Sequence, residues 1–204
     1  MAKLRLGLLA SGHGSNLQAI INNIAAGKLE AQVTVVVSDK PTAFALERAK
    51  NHGIPGVFVN PKEYPGKDEY EKAVVDYLQE FRVELVVLAG YMSIVGNTLL
   101  EAFPNRIMNI HPALLPSFPG AHGQLDAVLY GVRFSGCTVH FVDAGMDTGP
   151  IILQTVVPVM QHDDEESLAA RILFEEHRLY SQAIQLYAEG KLKVEGRKVL
   201  MSNE

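Results

Sequence analysis

The chain has 204 residues, 48% of them hydrophobic, so it can bury one substantial core; we expect a single domain over residues 1–190 and a C-terminal hairpin or tail over 191–204. Its net charge of -5 disfavours a nucleic-acid partner, which requires a basic surface. A single cysteine excludes an intramolecular disulfide, and no apolar run is long enough to span a membrane, so we expect a cytoplasmic protein without a membrane partner.

Short apolar runs alternate with helical periodicity through the first half of the chain. This alternation predicts an α/β fold of the Rossmann-like type, a mostly parallel twisted sheet with helices on both faces. Two β-rich runs beyond Pro116 and a terminal hairpin predict antiparallel strands toward the C-terminal side. The predicted strands span 4–10, 32–37, 56–59, 85–89, 107–111, 136–142 and 151–159. The predicted helices span 17–26, 43–51, 67–80, 96–102, 124–130 and 165–188.

A glycine loop, Ser11-Gly12-His13-Gly14-Ser15-Asn16, joins the first strand to the first helix. Unpaired N–H groups and the helix dipole make such a position an anion site. Leu17 replaces the third glycine of a dinucleotide-binding loop, which disfavours that ligand, although Asp39 after the second strand keeps it open. The loop suits a phosphate monoester; the alternative is that Ser15 and Asn16 only cap the helix.

Asn109 and His111 stand two residues apart at the end of a predicted strand that Pro112 stops. Their side chains therefore point to the same face of the sheet. The turn-rich loop 143–150 carries Asp147 and offers a carboxylate to the same edge. An amide, an imidazole and a carboxylate together predict oxyanion stabilisation and proton transfer at a carbonyl group. Each residue alone is weak evidence, because a lone histidine at the end of a strand is more often a hydrogen-bonded structural group.

A metal site is the competing chemistry for this cluster. His111, His122, His140 and Asp147 offer nitrogen and oxygen ligands, but no compact helical ligand motif is present, and we predict a site without metal. His140 lies in an apolar strand and is expected to point inward. His177 is expected on a solvated helix face.

Four segments resemble the phosphoribosylglycinamide formyltransferases, a branch of the folate-dependent formyltransferases, and the resemblance runs from about residue 3 to 186. The segments are the glycine loop, Leu88-Ala89-Gly90-Tyr91-Met92, Asn109-Ile110-His111-Pro112-Ala113-Leu114-Leu115-Pro116 and Met146-Asp147-Thr148-Gly149-Pro150. The resemblance implies transfer of a formyl group from 10-formyltetrahydrofolate to the amine of glycinamide ribonucleotide in purine biosynthesis, by direct attack. Asn109 and protonated His111 would stabilise the oxyanion, and Asp147 would favour the protonated ring.

The resemblance also implies a set of binding residues and no metal. The substrate phosphate would lie on Gly14, Ser15 and Asn16, and Glu176 would lie near the ribose and amine. The folate would contact Lys67, Met92, Ser93, Ile94, Val95 and Asn109. Ser93 is a departure, since many relatives have arginine there. The resemblance does not decide between a monomer and a homodimer.

Two other functions share part of this pattern. A formyltetrahydrofolate deformylase would use the same cluster with water as the acceptor and would not need the phosphate loop. A non-catalytic phosphometabolite-binding protein would need only the loop.

Overall fold

The computed structural model describes residues 3–202, and within that range it contains nine strands and six α-helices. The chain divides into two units, one ending at Met108 and one beginning at Asn109. Strand β5 (Ile107–His111) carries the chain across this boundary. The domain limit expected at residue 190 stays a prediction.

The first unit contains a buried parallel sheet. Its strand order is β3-β2-β1-β4, and the pairs β1·β2, β1·β4 and β2·β3 are all parallel. Leu6, Leu8 and Leu9 are fully buried, as expected for a strand covered on both faces. The four strands are β1 (Leu4–Leu9), β2 (Ala31–Ser38), β3 (Gly56–Phe58) and β4 (Leu85–Leu88).

Three helices and a 3₁₀ turn connect these strands, and a fourth helix follows the last of them. Helix α3 buries Tyr70, Val74 and Leu78, which follow its predicted apolar stripe, whereas Tyr77 at the margin of that stripe is 36% exposed. The turn Pro61–Glu63 was not predicted. The helices are α1 (Ser15–Ala25), α2 (Phe44–Asn51), α3 (Lys67–Glu80) and α4 (Asn97–Ala102).

The second unit is mostly antiparallel. Strand β6 (Phe134–Phe141) pairs antiparallel with β7 (Ile151–Pro158), and β8 (Leu192–Glu195) forms a hairpin with β9 (Lys198–Met201). The predicted α/β, Rossmann-like class with parallel strands first and antiparallel strands later is therefore confirmed.

Two helices complete the second unit. They are α5 (Gly123–Tyr130) and α6 (Glu165–Ala188). Asp164 and Ser167 form a reciprocal capping box at the start of α6. The Leu115–Pro116 peptide bond is cis. Within residues 3–202 no helix is long and apolar enough to cross a membrane.

Gly7 in β1 lets the sheet approach α3 closely. A Cβ atom there would lie 2.6 Å from Leu78 Cδ2 and 2.7 Å from Val83 Cγ2. We therefore expect Gly7→Ala to lower the free energy of unfolding by about 1–3 kcal/mol through overpacking. Urea unfolding measures this. Gly12→Ala is the control, because no described atom outside its chain neighbours lies within 4 Å of that Cβ position. Equal stability of the two variants would contradict the packing argument.

Candidate active site

His111 at the end of β5 is 3% exposed, and both of its ring nitrogens face acceptors. Nε2 lies 2.8 Å from the backbone oxygen of Phe118, and Nδ1 lies 3.4 Å from Asp147 Oδ2. A carbonyl and an ionised carboxylate only accept hydrogen bonds. The doubly protonated ring is therefore the form in which each nitrogen has a hydrogen for its partner.

Asn109 is held by His140, which points inward from β6 as expected and is 2% exposed. His140 Nδ1 lies 2.9 Å from the Phe141 backbone oxygen, so Nδ1 carries the hydrogen. In the neutral ring Nε2 is then an acceptor, and it lies 3.3 Å from Asn109 Nδ2. The same amide nitrogen is 3.5 Å from Asp147 Oδ1. These contacts fix which end of the amide faces His140 and Asp147.

Asp147 joins the cluster from a loop with unusual backbone geometry. Its φ is 54°, in the left-handed region, and its Oδ2 accepts the Gly120 N–H at 2.8 Å. A Cβ on Gly149 would lie 1.7 Å from the Phe141 oxygen, so only glycine fits there. Burial alone would raise the pKa of Asp147, but the His140 ring 3.7 Å away, the hydrogen bond from Gly120 and the charge of His111 outweigh it and lower that pKa.

The structure therefore brings Asn109, His111 and Asp147 together, as the sequence suggested. The metal alternative also named His140, which lies 3.7 Å from Asp147, and His122, which occupies the N-cap position of α5. Within residues 3–202 no three His, Cys, Asp or Glu side chains are placed to hold one metal ion.

The glycine loop reaches α1 through Gly14. This residue occupies the N-cap position with φ 69°, and a Cβ on it would lie 2.8 Å from Ala45 Cβ. Ser15 and Asn16 are the first two helical residues, and no side chain makes the cap hydrogen bond. The alternative in which they only cap the helix is therefore wrong, because glycine holds the cap position.

Arg48 of α2 stabilises this loop, a role that the sequence did not predict. Its Nε donates to the His13 backbone oxygen at 2.9 Å, and its Nη1 donates to Gln18 Oε1 at 3.0 Å. Its guanidinium also lies 4.8 Å from the centre of the Phe44 ring. His13 and Gln18 are 35 and 30 residues from Arg48 in sequence, so no local pattern predicts these hydrogen bonds.

Asp39 has a different environment from the ribose-binding carboxylate of a dinucleotide site. It is 5% exposed, and its Oδ2 accepts a hydrogen bond from Ser93 Oγ at 2.9 Å. The carboxylate thus points inward to the segment after β4. Asp39 therefore does not support a dinucleotide as the ligand of the glycine loop.

A cleft of about 440 Å³ in the first unit brings together three of the predicted folate residues. Lys67, Ser93 and Ile94 line it together with Tyr64 and Tyr70. Two other predicted folate residues flank Ser93 and Ile94 in sequence. Met92 is 73% exposed, and Val95 is buried. Glu71, itself buried, accepts the N–H groups of Gly96 and Leu99 and so shapes the end of this segment.

Glu176 lies on α6 and is 7% exposed. Burial first, and then the charge of Glu176, raises the pKa of Cys137 to about 12, so this thiol stays protonated. The expectation of a solvated His177 is wrong. Its Nε2 is buried, no described residue gives it a hydrogen bond, and burial lowers the pKa of its ring.

Comparison with known sequences gives a consistent result. The profile of the Formyl transferase family matches residues 4–184. The phosphoribosylglycinamide formyltransferase of Bacillus subtilis is 42% identical over 181 residues, covering 89% of this chain and 93% of that protein. The trifunctional purine biosynthetic protein adenosine-3 of Drosophila pseudoobscura pseudoobscura is 43% identical over 191 residues, but the chain spans only 14% of its length.

Solved structures agree in fold over nearly the whole chain. Glycinamide ribonucleotide transformylase 1 from Symbiobacterium toebii has a TM-score of 0.97 and 50% identity, covering 99% of this chain and 95% of that one. A formyltetrahydrofolate deformylase from Pseudomonas syringae has a TM-score of 0.90 and 28% identity, covering 98% of this chain and 66% of that one.

The lowered pKa of Asp147 predicts a pH-dependent contribution to stability. A carboxylate whose pKa is lower in the folded chain stabilises fully above its unfolded pKa of about 4, and the contribution disappears as pH falls through the folded value. We therefore expect Asp147→Asn to lower stability at pH 7 and the difference from the parent chain to shrink in acid. Urea unfolding at pH 7, 5 and 3 measures this. A difference that does not change with pH would refute it. Asparagine tolerates the left-handed backbone, so the substitution tests the charge.

Proposed function

We propose, from the membership of this chain in the formyl transferase family, that it transfers a formyl group from 10-formyltetrahydrofolate to the amine of glycinamide ribonucleotide, as a phosphoribosylglycinamide formyltransferase of purine biosynthesis. The cluster of Asn109, His111 and Asp147 carries this proposal. It supplies a positioned amide donor, a ring with acceptors on both nitrogens and an ionised carboxylate in one place. These are the groups that acyl transfer requires at a carbonyl.

In the proposed reaction the acceptor amine attacks the formyl carbon directly, and the carbonyl electrons move onto oxygen. The Asn109 amide and the protonated His111 ring stabilise the oxyanion. The oxyanion then re-forms the carbonyl as the carbon–nitrogen bond to the folate breaks, and His111 gives its proton to the leaving nitrogen. The attacking nitrogen loses one proton to water that Asp147 orders, and Asp147 also supports the charged ring. For this step His111 exchanges its hydrogen bond with Phe118 for one with the substrate.

On the acceptor side we assign the phosphate to Gly14, Ser15 and Asn16. Support comes from the position of these residues at the start of α1, where N–H groups and the helix dipole favour an anion. Arg48 stabilises the loop through His13. Glu176, a buried carboxylate, is assigned to the ribose and amine.

On the donor side we assign the folate to the cleft that Lys67, Ser93 and Ile94 line. Met92 and Ile94 are exposed and offer apolar contact area, and Asn109 would also contact the donor. Lys67, at the start of α3, suits the carboxylates of the folate. Val95 and Ser93 would contribute through their backbone, because Val95 is buried and the Ser93 hydroxyl is bonded to Asp39. A cytoplasmic location and a homodimer stay predictions.

A formyltetrahydrofolate deformylase is the second candidate. The structural similarity to the Pseudomonas syringae deformylase favours it, since the same cluster would serve water as an acceptor. The glycine loop favours the transferase, because a phosphate site has no role in hydrolysis. A non-catalytic phosphate binder would leave the polar cluster without a role.

Formyl transfer from 10-formyltetrahydrofolate, measured with and without glycinamide ribonucleotide and in the presence of a chelator, tests the proposal. Product formation that depends on the acceptor and is insensitive to the chelator supports the transferase. Tetrahydrofolate release without the acceptor supports the deformylase. Absence of turnover overturns both and leaves the phosphate binder.

Asn109→Ala should lower kcat by on the order of a hundredfold, because it removes one oxyanion donor. The melting temperature should change little, since Asn109 is only half-buried. Asn51→Ala, on the exposed end of α2, is the matched control and should retain full activity. Full activity of Asn109→Ala would remove the proposed role.

The double variant Ser15→Ala, Asn16→Ala should separate the two enzymatic candidates. If the loop binds the acceptor phosphate, KM for glycinamide ribonucleotide should rise by more than tenfold, whereas any hydrolysis without acceptor should be unchanged. Steady-state kinetics against both substrates measures this. Asn22→Ala on the exposed side of the same helix is the control. An unchanged KM in the double variant would count against the phosphate assignment.

A further inference from the structure

The glycine loop and the segment that follows β4 leave the parallel sheet side by side. Strands β1 and β4 are parallel neighbours, so their carboxyl ends lie at the same edge of the sheet. The glycine loop follows β1, and residues 90–96, the donor segment, follow β4. Each segment carries residues assigned above to one substrate, Ser15 to the acceptor and Ile94 to the donor. A contact between the two segments therefore connects the two assigned binding surfaces.

Ser11, the first residue of the glycine loop, is hydrogen-bonded to the donor segment through two of its atoms. Its N–H donates to the Gly90 oxygen at 3.0 Å, beyond the ends of β1 and β4. Its Oγ accepts the Met92 N–H at 2.9 Å. In a regular parallel ladder this N–H would donate to the Ser11 carbonyl, so the side-chain hydroxyl takes the place of a backbone oxygen. Alanine at position 11 would have no side-chain atom to accept this bond.

Two buried carboxylates hold the donor segment further along the chain. Ser93 Oγ donates to Asp39 Oδ2 at 2.9 Å, and the Gly96 N–H donates to Glu71. Asp39 is 5% exposed and Glu71 is 4% exposed, so neither carboxylate moves freely. Met92 precedes both of these points. Its hydrogen bond to the glycine loop therefore determines how the chain enters the stretch that lines the donor cleft.

The glycine loop is also anchored to α2. The Gly12 oxygen accepts the Ala45 N–H at 3.1 Å, and the His13 oxygen accepts Arg48 Nε–H at 2.9 Å. Ser11 lies between these anchors and the donor segment. An anion bound to the N–H groups at the start of α1 would restrict the loop further, because each hydrogen bond that it accepts fixes a backbone group.

We propose that Ser11 is a positioning residue that couples the two substrate sites, so that each substrate binds more tightly when the other is present. The acceptor phosphate orders the glycine loop, and Ser11 passes this order to the Met92 backbone. The donor then meets a segment that has already lost part of its conformational freedom. Coupling between two sites is reciprocal, so the donor strengthens acceptor binding by the same factor. This inference rests on the proposed function and deepens it, because it requires both substrate assignments.

Titration calorimetry with glycinamide ribonucleotide and tetrahydrofolate measures the coupling, because tetrahydrofolate carries no formyl group and the pair cannot react. In the parent chain, saturation with either compound should raise the affinity for the other about fivefold, as expected for one net hydrogen bond. In Ser11→Ala this factor should fall below about twofold, while the affinity for each compound alone changes by less than about twofold. A merely structural defect would instead weaken the binding of each compound alone.

Thr34→Val is the matched control, because it also removes a hydroxyl group that bonds to the backbone within the first unit. Thr34 Oγ1 donates to the Leu6 oxygen at 3.1 Å and contacts neither the glycine loop nor the donor segment through this bond. This variant should keep the coupling factor of the parent chain.

Failure of either compound to bind the parent chain alone would overturn the proposed function together with the coupling. Binding of both compounds without mutual enhancement, or equal enhancement in Ser11→Ala, would overturn the coupling and leave the proposed function standing. If Ser11→Ala does not fold, hydrogen exchange of the Met92 N–H in the parent chain decides the question. Glycinamide ribonucleotide alone should slow this exchange, and an unchanged rate would overturn the coupling.

Discussion

The arrangement of the polar cluster depends on the contacts of the Asp147 carboxylate. One oxygen accepts the Gly120 N–H and faces His111, and the other lies near Asn109 and His140. Four groups from three separate segments thus share a single anion. Removing its charge would leave several donors in a poorly solvated site without an acceptor, which is costlier than losing one hydrogen bond. The cluster is therefore a cooperative unit, and its geometry follows from where one loop places one side chain.

That placement rests in turn on backbone groups, which determine the direction of the hydrogen bonds. The Phe141 oxygen requires a hydrogen on Nδ1 of His140, and in the neutral ring this leaves Nε2 to accept from Asn109. The Phe118 oxygen similarly requires a hydrogen on Nε2 of His111. Carbonyls cannot change roles with pH or substitution. The contacts with His140 and Asp147 therefore hold the Asn109 side chain in one orientation at the end of the strand.

Features encoded locally could be predicted from the sequence. The bounds of α3 and α6 follow from apolar periodicity and end signals, and Asn109 and His111 share a face because strands have period two. The contact of Arg48 with His13, 35 residues away, and that of Asp39 with Ser93, 54 residues away, could not be predicted. The local sequence around one partner does not indicate the other partner, because these hydrogen bonds form only when distant segments pack together.

The chain is similar to enzymes named as transformylases and to one named as a deformylase. This distinguishes specificity for the reaction from specificity for the acceptor. A cluster that stabilises charge on a formyl oxygen works equally well whether nitrogen or water attacks, so it determines the reaction and leaves the acceptor open. Acceptor choice must then come from residues that contact only the acceptor. In this chain we propose Gly14 as such a position. The left-handed backbone and the 2.8 Å approach to Ala45 admit only glycine there, and this geometry sets the direction of the first N–H groups of α1. On that proposal, a change at Gly14 alters acceptor binding and leaves the polar cluster intact.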